Sequence, residues 1–415
     1  MTTLPIRSRA AVSPLRRRLD APDLLPAVAD LVAVERPEES MHCLRPAAVT
    51  AAARAFVGGF PGSTLYAVKC NPEPAVLRAL RAGGVRHFDC ASACEVALVR
   101  AMFPGAVIHF MHPVKARGAI REAWFRHGVR DFVLDGAEEL GKILAETGGA
   151  GAADGLGLVV RLALPRSGAA AYDLSGKFGA APEEAAALLR AARPHAARLG
   201  LSFHVGSQCL DPLAWGAAVA LAGAVARAAG VPVDVLDVGG GFPAAYPGVE
   251  PPPLGAFFAE IEDAVEEAGL DGAALWAEPG RTLVAGGTSV VVQVQARRGD
   301  ALHVNDGVYG ALSDAGAPGF AFPARLIRPD GPAPSAALRG FTLFGPTCDS
   351  ADRMKGPWPL PEDAREGDWI EIGQLGAYGA CLRTAFNGFD RARLVEVRDP
   401  PMLGGTAEDQ AALAA

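Results

Sequence analysis

A chain of 415 residues is longer than one hydrophobic core usually serves, so two domains are expected. Half of the residues are hydrophobic and a fifth are charged, an ordinary balance for a globular protein, and the net charge of -7 argues against a nucleic-acid or anionic-membrane partner, both of which need a basic face. The seven cysteines (Cys43, Cys70, Cys90, Cys94, Cys209, Cys348 and Cys381) are odd in number and scattered, which excludes a disulfide framework and points to a reducing cytoplasm. Cys90 and Cys94 stand too far from other thiols or suitably spaced histidines for a zinc site, so no metal is expected.

The opening stretch MTTLPIRSRAAVSPLRRRLD is basic and poor in acids, as transit peptides are, but lacks the apolar core of a secretory signal. A start leading into the first folded element is the plainer reading. No apolar run is long and unbroken enough to span a membrane.

From about residue 60 to 280, short β-branched or apolar runs alternate with stretches of helical pattern. The strand candidates are TLYAV (64–68), VRHFD (85–89), AVIHF (106–110), RDFVL (130–134), LGLVVRLAL (156–164), LSFHV (201–205), VDVLDV (233–238) and ALWA (274–277). Between them AVLRALRAG (75–83), ACEVALVRAM (93–102) and EEAAALLRAAR (183–193) read as helices. Alternating strand and helix predicts a parallel sheet, and eight such units predict a closed (β/α)8 barrel over residues 45–282. After 282 the helical pattern nearly vanishes. TSVVVQVQARR (288–298), ALHVND (301–306) and GDWIEIGQLGAY (367–378) read as strands of an antiparallel β-rich domain, GPAPSAAL (331–338) as a surface loop, and the tail 404–415 as frayed.

Active-site groups of such a barrel sit at the C-terminal strand ends. There the sequence places Lys69, Asp89, Arg161, His204 with Gly206 and Ser207, then Gly239, Gly240 and Gly241, and finally Glu278, Gly280 and Arg281. Singly, each has an ordinary explanation: a solvated lysine, a core histidine, a tight glycine turn, a surface ion pair. Together they suit one chemistry. A glycine triplet lets backbone N–H groups approach a phosphate in a turn leading toward a helix start. A lysine at a barrel mouth forms a Schiff base with an aldehyde cofactor, and Glu278 is placed to keep a pyridine nitrogen protonated. The fingerprints GxGxxG and GxxxxGK[ST] are absent from the relevant junctions, which argues against a flavin or nicotinamide oxidoreductase.

The stretches YAVKCNPEP (66–74), FDCASACEV (88–96), FHVGSQC (203–209), LDVGGGFP (236–243), AEPGR (277–281), NDGVYG (305–310), GPTCDSADRM (345–354) and GAYGA (376–380) occur in the order seen in the fold-type III pyridoxal-phosphate decarboxylases of ornithine, lysine, diaminopimelate and arginine. The sequence resembles that family over residues 66–380. The resemblance implies a barrel joined to a β domain built from both chain ends (1–44 and 283–415), a pyridoxal 5'-phosphate cofactor, and a homodimer with active sites shared across its interface. It implies Lys69 as the Schiff-base lysine, Asp89 as the acid near it with Arg161 as partner, and Glu95 supporting them from a first helical turn. His204 would stack on the ring and Glu278 bind its nitrogen. Ser207, Gly239, Gly240, Gly241, Gly280, Arg281 and Tyr378 would hold the phosphate. Cys348, reaching in from the other subunit, would protonate the α-carbon, and Asp349 beside it would bind the substrate's distal ammonium near Tyr309.

Within the family, Asp rather than Glu after the motif cysteine goes with ornithine or lysine rather than diaminopimelate, and Asp349 leans the same way. A second aspartate usually follows NDGVYG at a distance; here Asp314 stands nearer to Tyr309 than that pattern, so ornithine and a longer diamino acid both remain open. A racemase of the same fold type and a non-catalytic regulatory relative are the rivals; the first would need a second base on the face where Cys348 sits, and GPTCDS favours decarboxylation, while the second would be expected to lose the cofactor residues that this chain keeps.

Overall fold

In the computed structural model, residues 25–403 are described, except 167, 169, 173 and 175. The basic N-terminal stretch and the tail from 404 lie outside the described residues. Eight parallel strands close into a barrel: Ser63–Ala67, His87–Cys90, Val107–Phe110, Asp131–Leu134, Gly157–Arg161, Arg198–Ser202, Val235–Asp237 and Ala274–Ala277. Closure runs through Trp276 opposite Ser63 and Ala277 opposite Thr64. Leu65, Met111, Val133, Val159, Val235 and Trp276 fill the lower interior, so the barrel is a packed core and not a pore.

Local sequence sets the crossovers. Proline opens the helices Pro74–Ala82 and Pro182–Ala192, where its missing N–H costs nothing. Ser92 caps the helix Ala93–Met102 by accepting from Glu95 N–H at 3.2 Å, and the Glu95 carboxylate accepts from Ala91 N–H at 2.6 Å. The sixth strand begins three residues before the apolar run in the sequence. Arg198 and Gly200 interrupt the hydrophobic pattern, yet Arg198 satisfies its charge on Asp131 at 2.6 Å and Gly200 sits in register with Val159 and Val235.

The second domain is a mixed sheet in which Ala324–Ile327, Trp369–Ile372, Thr288–Arg298, Ala301–Val304, Leu338–Phe344 and Arg353–Pro361 lie in that order. Ser40–Leu44 joins it antiparallel to Thr288–Arg298, and Ala392–Glu396 pairs parallel with Ser40–Leu44, so both chain ends build it. The sheet departs from the antiparallel expectation at that pair and at Ala301–Val304, which runs parallel to Leu338–Phe344. The expected strand 367–378 is shorter, because left-handed backbone at Gln374 and Tyr378 turns the chain toward the barrel. Among the described residues no helix is long and apolar enough to cross a membrane.

A buried charge cluster ties the start of the barrel segment to the sheet. Glu371 is fully buried and takes Arg45 at 2.8 Å, Arg325 at 2.6 Å and the Ser289 hydroxyl at 2.6 Å. Burial works against its charge, but Arg325 and Arg45 outweigh it and hold the Glu371 carboxyl below the usual carboxylate range. Glu371→Ala strands the buried Arg45 guanidinium and is expected to cost about 3–5 kcal/mol at neutral pH. Because the folded-state value is the lower one, this contribution is present above about pH 4.3 and is lost as pH falls further. Urea melts of both proteins should therefore show a gap at pH 7 that narrows toward pH 3.

Candidate active site

The strand-end residues do converge at the barrel's C-terminal rim. Ala67, Lys69, His204, Ser207, Gly241, Phe242, Glu278, Gly280, Arg281 and Tyr378 line one small pocket. Lys69 stands in a single 3-10 turn, Val68–Cys70, just past the first strand, and its ammonium lies 2.7 Å from Asp89 Oδ2. Desolvation opposes the charge on Lys69, but the carboxylates of Asp89 and Glu278 outweigh it and raise its pKa above the ordinary lysine value. Asp89 thus takes Lys69 as partner and makes no hydrogen bond to Arg161, a departure from the expected pair. Its other oxygen, Oδ1, is buried without a donor. Arg161 ends the fifth strand and lines an apolar cavity on the far side of His204.

His204 lies two residues beyond its strand. Its Nδ1 accepts from Gly206 N–H at 3.0 Å, and Gly206 turns the chain with φ +103°. Burial, then the charges of Arg161 and Lys69, push the imidazole well below its usual pKa, so it is neutral with its remaining proton on Nε2.

The glycine triplet packs against this turn. A Cβ at Gly239 would meet Phe203 O at 2.1 Å, one at Gly240 would meet Glu278 O at 2.6 Å, and one at Gly241 would meet Gly206 O at 2.4 Å. Gly239 and Gly241 also have φ of +68° and +106°, so glycine is needed for both space and conformation. The turn does not lead into a helix as expected. It opens into a loop braced by the Tyr246–Val249 bridge, and the next helix begins only at Leu254.

Arg281 is buried with its guanidinium over the rings of Phe320 (4.9 Å) and Tyr378 (5.0 Å). One end of it donates to Asp314 Oδ2 at 2.9 Å and Tyr246 Oη at 2.8 Å, while Nε has no acceptor. Asp314, the aspartate nearest NDGVYG in the sequence, is engaged at both oxygens, Oδ1 by the Tyr172 hydroxyl at 2.8 Å and Oδ2 by Arg281. Tyr172 and Tyr246 were not singled out in the sequence, where nothing marks a tyrosine that braces a distant ion pair. Asp237 was also missed, although an acid ending an apolar strand is a visible signal.

Cys348, Asp349 and Tyr309 form a separate cluster that does not line the Lys69 pocket. The Tyr309 hydroxyl donates to Asp349 Oδ2, and Cys348 N–H donates to Asn387 Oδ1 at 3.0 Å. The Cys348 thiol is exposed, and Phe386 and Phe389 beside this cluster are more than two-fifths exposed.

The pocket therefore presents an unpaired guanidinium N–H, two hydroxyls and a glycine turn at one side, and a carboxyl, a neutral imidazole and an amine at the other. These donors fit a group with an anionic phosphate at one end and a basic ring nitrogen and an aldehyde at the other.

Residues 47–285 match the pyridoxal binding domain of the pyridoxal-dependent decarboxylases, and residues 218–376 match that family's C-terminal sheet domain. The chain is 34% identical over 367 residues to ornithine decarboxylase of Mus musculus, covering 81% of this chain and 76% of that one. It is similar to the lysine/ornithine decarboxylase of Vibrio vulnificus solved with putrescine (31% identity, TM-score 0.74, 89% of this chain and 96% of the other). It is also similar to the arginine decarboxylase of Paramecium bursaria Chlorella virus bound to agmatine (28% identity, TM-score 0.76, 89% and 98%). With its barrel, its sheet domain and its rim of cofactor-type donors, the chain belongs to the fold-type III pyridoxal-phosphate decarboxylases of basic amino acids, which are carbon–carbon lyases.

Proposed function

We propose that this decarboxylase converts L-ornithine to putrescine and CO2, supplying polyamine synthesis in the cytoplasm, and that it works as a homodimer with shared active sites. The observation that carries the reading is the Tyr309–Asp349 pair beside Cys348. Tyr309 occupies one oxygen of Asp349, and its hydrogen bond, with a second from Ala351 N–H, holds the Asp349 carboxyl below the usual range. A short, fixed, ionised carboxylate suits a simple ammonium terminus. In one chain the cluster stands apart from Lys69, with an exposed thiol and exposed phenylalanines around it, which favours delivery from a second copy.

Pyridoxal phosphate supplies the electron sink for the electrons left behind by CO2. Lys69 would provide the attachment amine, and Asp89, 2.7 Å from it, would hold that amine's proton whenever the amine is free. Arg281, Ser207, Tyr378 and the Gly239–Gly241 turn hold the phosphate, with Asp314 fixing Arg281 from behind. His204, kept neutral, would lie against the ring without adding a charge, and Glu278 would hold the ring nitrogen. Cys348 of the second subunit would be the group to give its Sγ proton to the α-carbon, and Asp349 of that subunit would align the distal ammonium.

Incubation with L-ornithine, L-lysine, L-arginine and meso-diaminopimelate in turn is expected to yield putrescine fastest. Cadaverine as the main product would move the assignment to lysine. Asp349→Ala should lower kcat/KM for the preferred substrate about 30-fold, the loss of one charge-assisted bond. Mixing Asp349→Ala with Lys69→Ala subunits should restore about a quarter of wild-type activity, since half the dimers then carry one intact site. Asp314→Ala is expected to weaken cofactor affinity about tenfold by releasing Arg281, with KM for substrate unchanged at saturating cofactor. The opposite split, a raised KM with unchanged cofactor affinity, would return Asp314 to the substrate's amine.

A further inference from the structure

Asp237 ends the seventh barrel strand and is fully buried. It runs beside Glu278: Val238 N–H donates to Trp276 O at 2.9 Å and Glu278 N–H donates to Gly239 O at 2.8 Å, which locks the two strand ends together. The two Asp237 oxygens have different surroundings. Oδ1 accepts from Gly239 N–H at 2.9 Å, while Oδ2 is buried and has no donor other than the Glu278 carboxyl beside it. Two ionised carboxylates do not share a dry contact of this kind; one proton between them removes the repulsion and supplies the missing donor.

The charges around the pair are unevenly placed. Asp89, from the second strand, adds negative charge to both members, and His109, from the third, faces Asp237. Lys69 and Arg161 bear on Glu278, favouring its ionised form. Burial, opposed by the Gly239 N–H, and then Asp89 push the Asp237 carboxyl up to about 6 against a hydrogen bond from Glu278 that lowers it, while burial with Asp237 and Asp89 pushes Glu278 well above the carboxylate range, so without cofactor Glu278 is the protonated member. A cationic ring nitrogen against Glu278, added to Lys69 and Arg161, reverses this preference and makes Glu278 the ionised member.

We propose that the Asp237–Glu278 pair retains one proton and that, with pyridoxal phosphate bound, this proton resides on Asp237 Oδ2 and is donated to a Glu278 oxygen. The inference rests on the assignment of Glu278 to the ring nitrogen. Asp237 is then a positioning residue: it touches neither cofactor nor substrate, and it aims Glu278 while adding no second negative charge. The anchoring bond to Gly239 leaves Oδ2 as the protonated atom, so an asparagine in the same place keeps both contacts. Its carbonyl accepts from Gly239, and its amide N–H replaces the carboxylic acid.

The test is cofactor affinity by equilibrium dialysis from pH 6.5 to 8.5, for the wild type, Asp237→Asn, Asp237→Ala and Glu278→Ala, with infrared spectra of the first two holoenzymes. Asp237→Asn is expected to bind pyridoxal phosphate within about threefold of wild type, with a ratio that stays flat across the pH range, because a neutral group replaces a neutral group. Asp237→Ala should bind at least about tenfold more weakly. The wild-type spectrum should contain a protonated-carboxyl band that Asp237→Asn lacks. An asparagine variant as weak as the alanine one, a ratio that climbs with pH as the wild type gains a charge, or the absence of that band would overturn the proposal. Unchanged affinity in Glu278→Ala would instead overturn the ring-nitrogen assignment, a separate failure.

Discussion

Closing eight parallel strands into a barrel makes every strand finish on the same rim, and the rest of the site follows from that constraint. Lys69, Asp89, Arg161, Asp237 and Glu278 are far apart in the chain, yet each stands at or just past a strand end. No loop has to travel to bring them together. Leu65, Met111, Val133, Val159, Val235 and Trp276 form a buried apolar cluster inside the same barrel. The glycine turn at 239–241 then lies against the backbone of Phe203 and Gly206 so closely that no side chain fits, which fixes one wall of the pocket.

Charge balance within that wall decides what the pocket can do. Asp89, Asp237 and Glu278 converge in a buried region with Lys69 and Arg161 as the cations. Lys69 is held charged by Asp89 and Glu278, His204 is held neutral by burial and then by the cations near it, and Arg281 is held charged by Tyr246 and Asp314 with three aromatic rings around it. Among the buried polar atoms left without a partner are Asp89 Oδ1 and Arg281 Nε, both on residues of this wall.

Much of this was legible in the sequence because strand ends are local features. Lys69 after TLYAV and Glu278 after ALWA are visible as polar residues that stop an apolar run, and a closed parallel barrel converts those stops into neighbours. What the sequence hid was set by contacts between distant segments. Arg198 and Gly200 disguised the start of the sixth strand, since the Asp131 that neutralises Arg198 lies 67 residues away. The parallel pairing of Ala301–Val304 with Leu338–Phe344 has no local signature, so the second domain read as purely antiparallel. Nor does the sequence show that Asp314 is braced by Tyr172, 142 residues earlier, and by Arg281.

The account stands or falls on Lys69 as the residue that carries the cofactor. Borohydride reduction of the holoenzyme, followed by peptide mapping, addresses this directly. The structure predicts a single pyridoxyl-modified peptide containing YAVKC, with the label on Lys69, and no label in Lys69→Ala. A label on another lysine such as Lys115 or Lys142, or an unmodified Lys69 in protein that still forms putrescine, would contradict it.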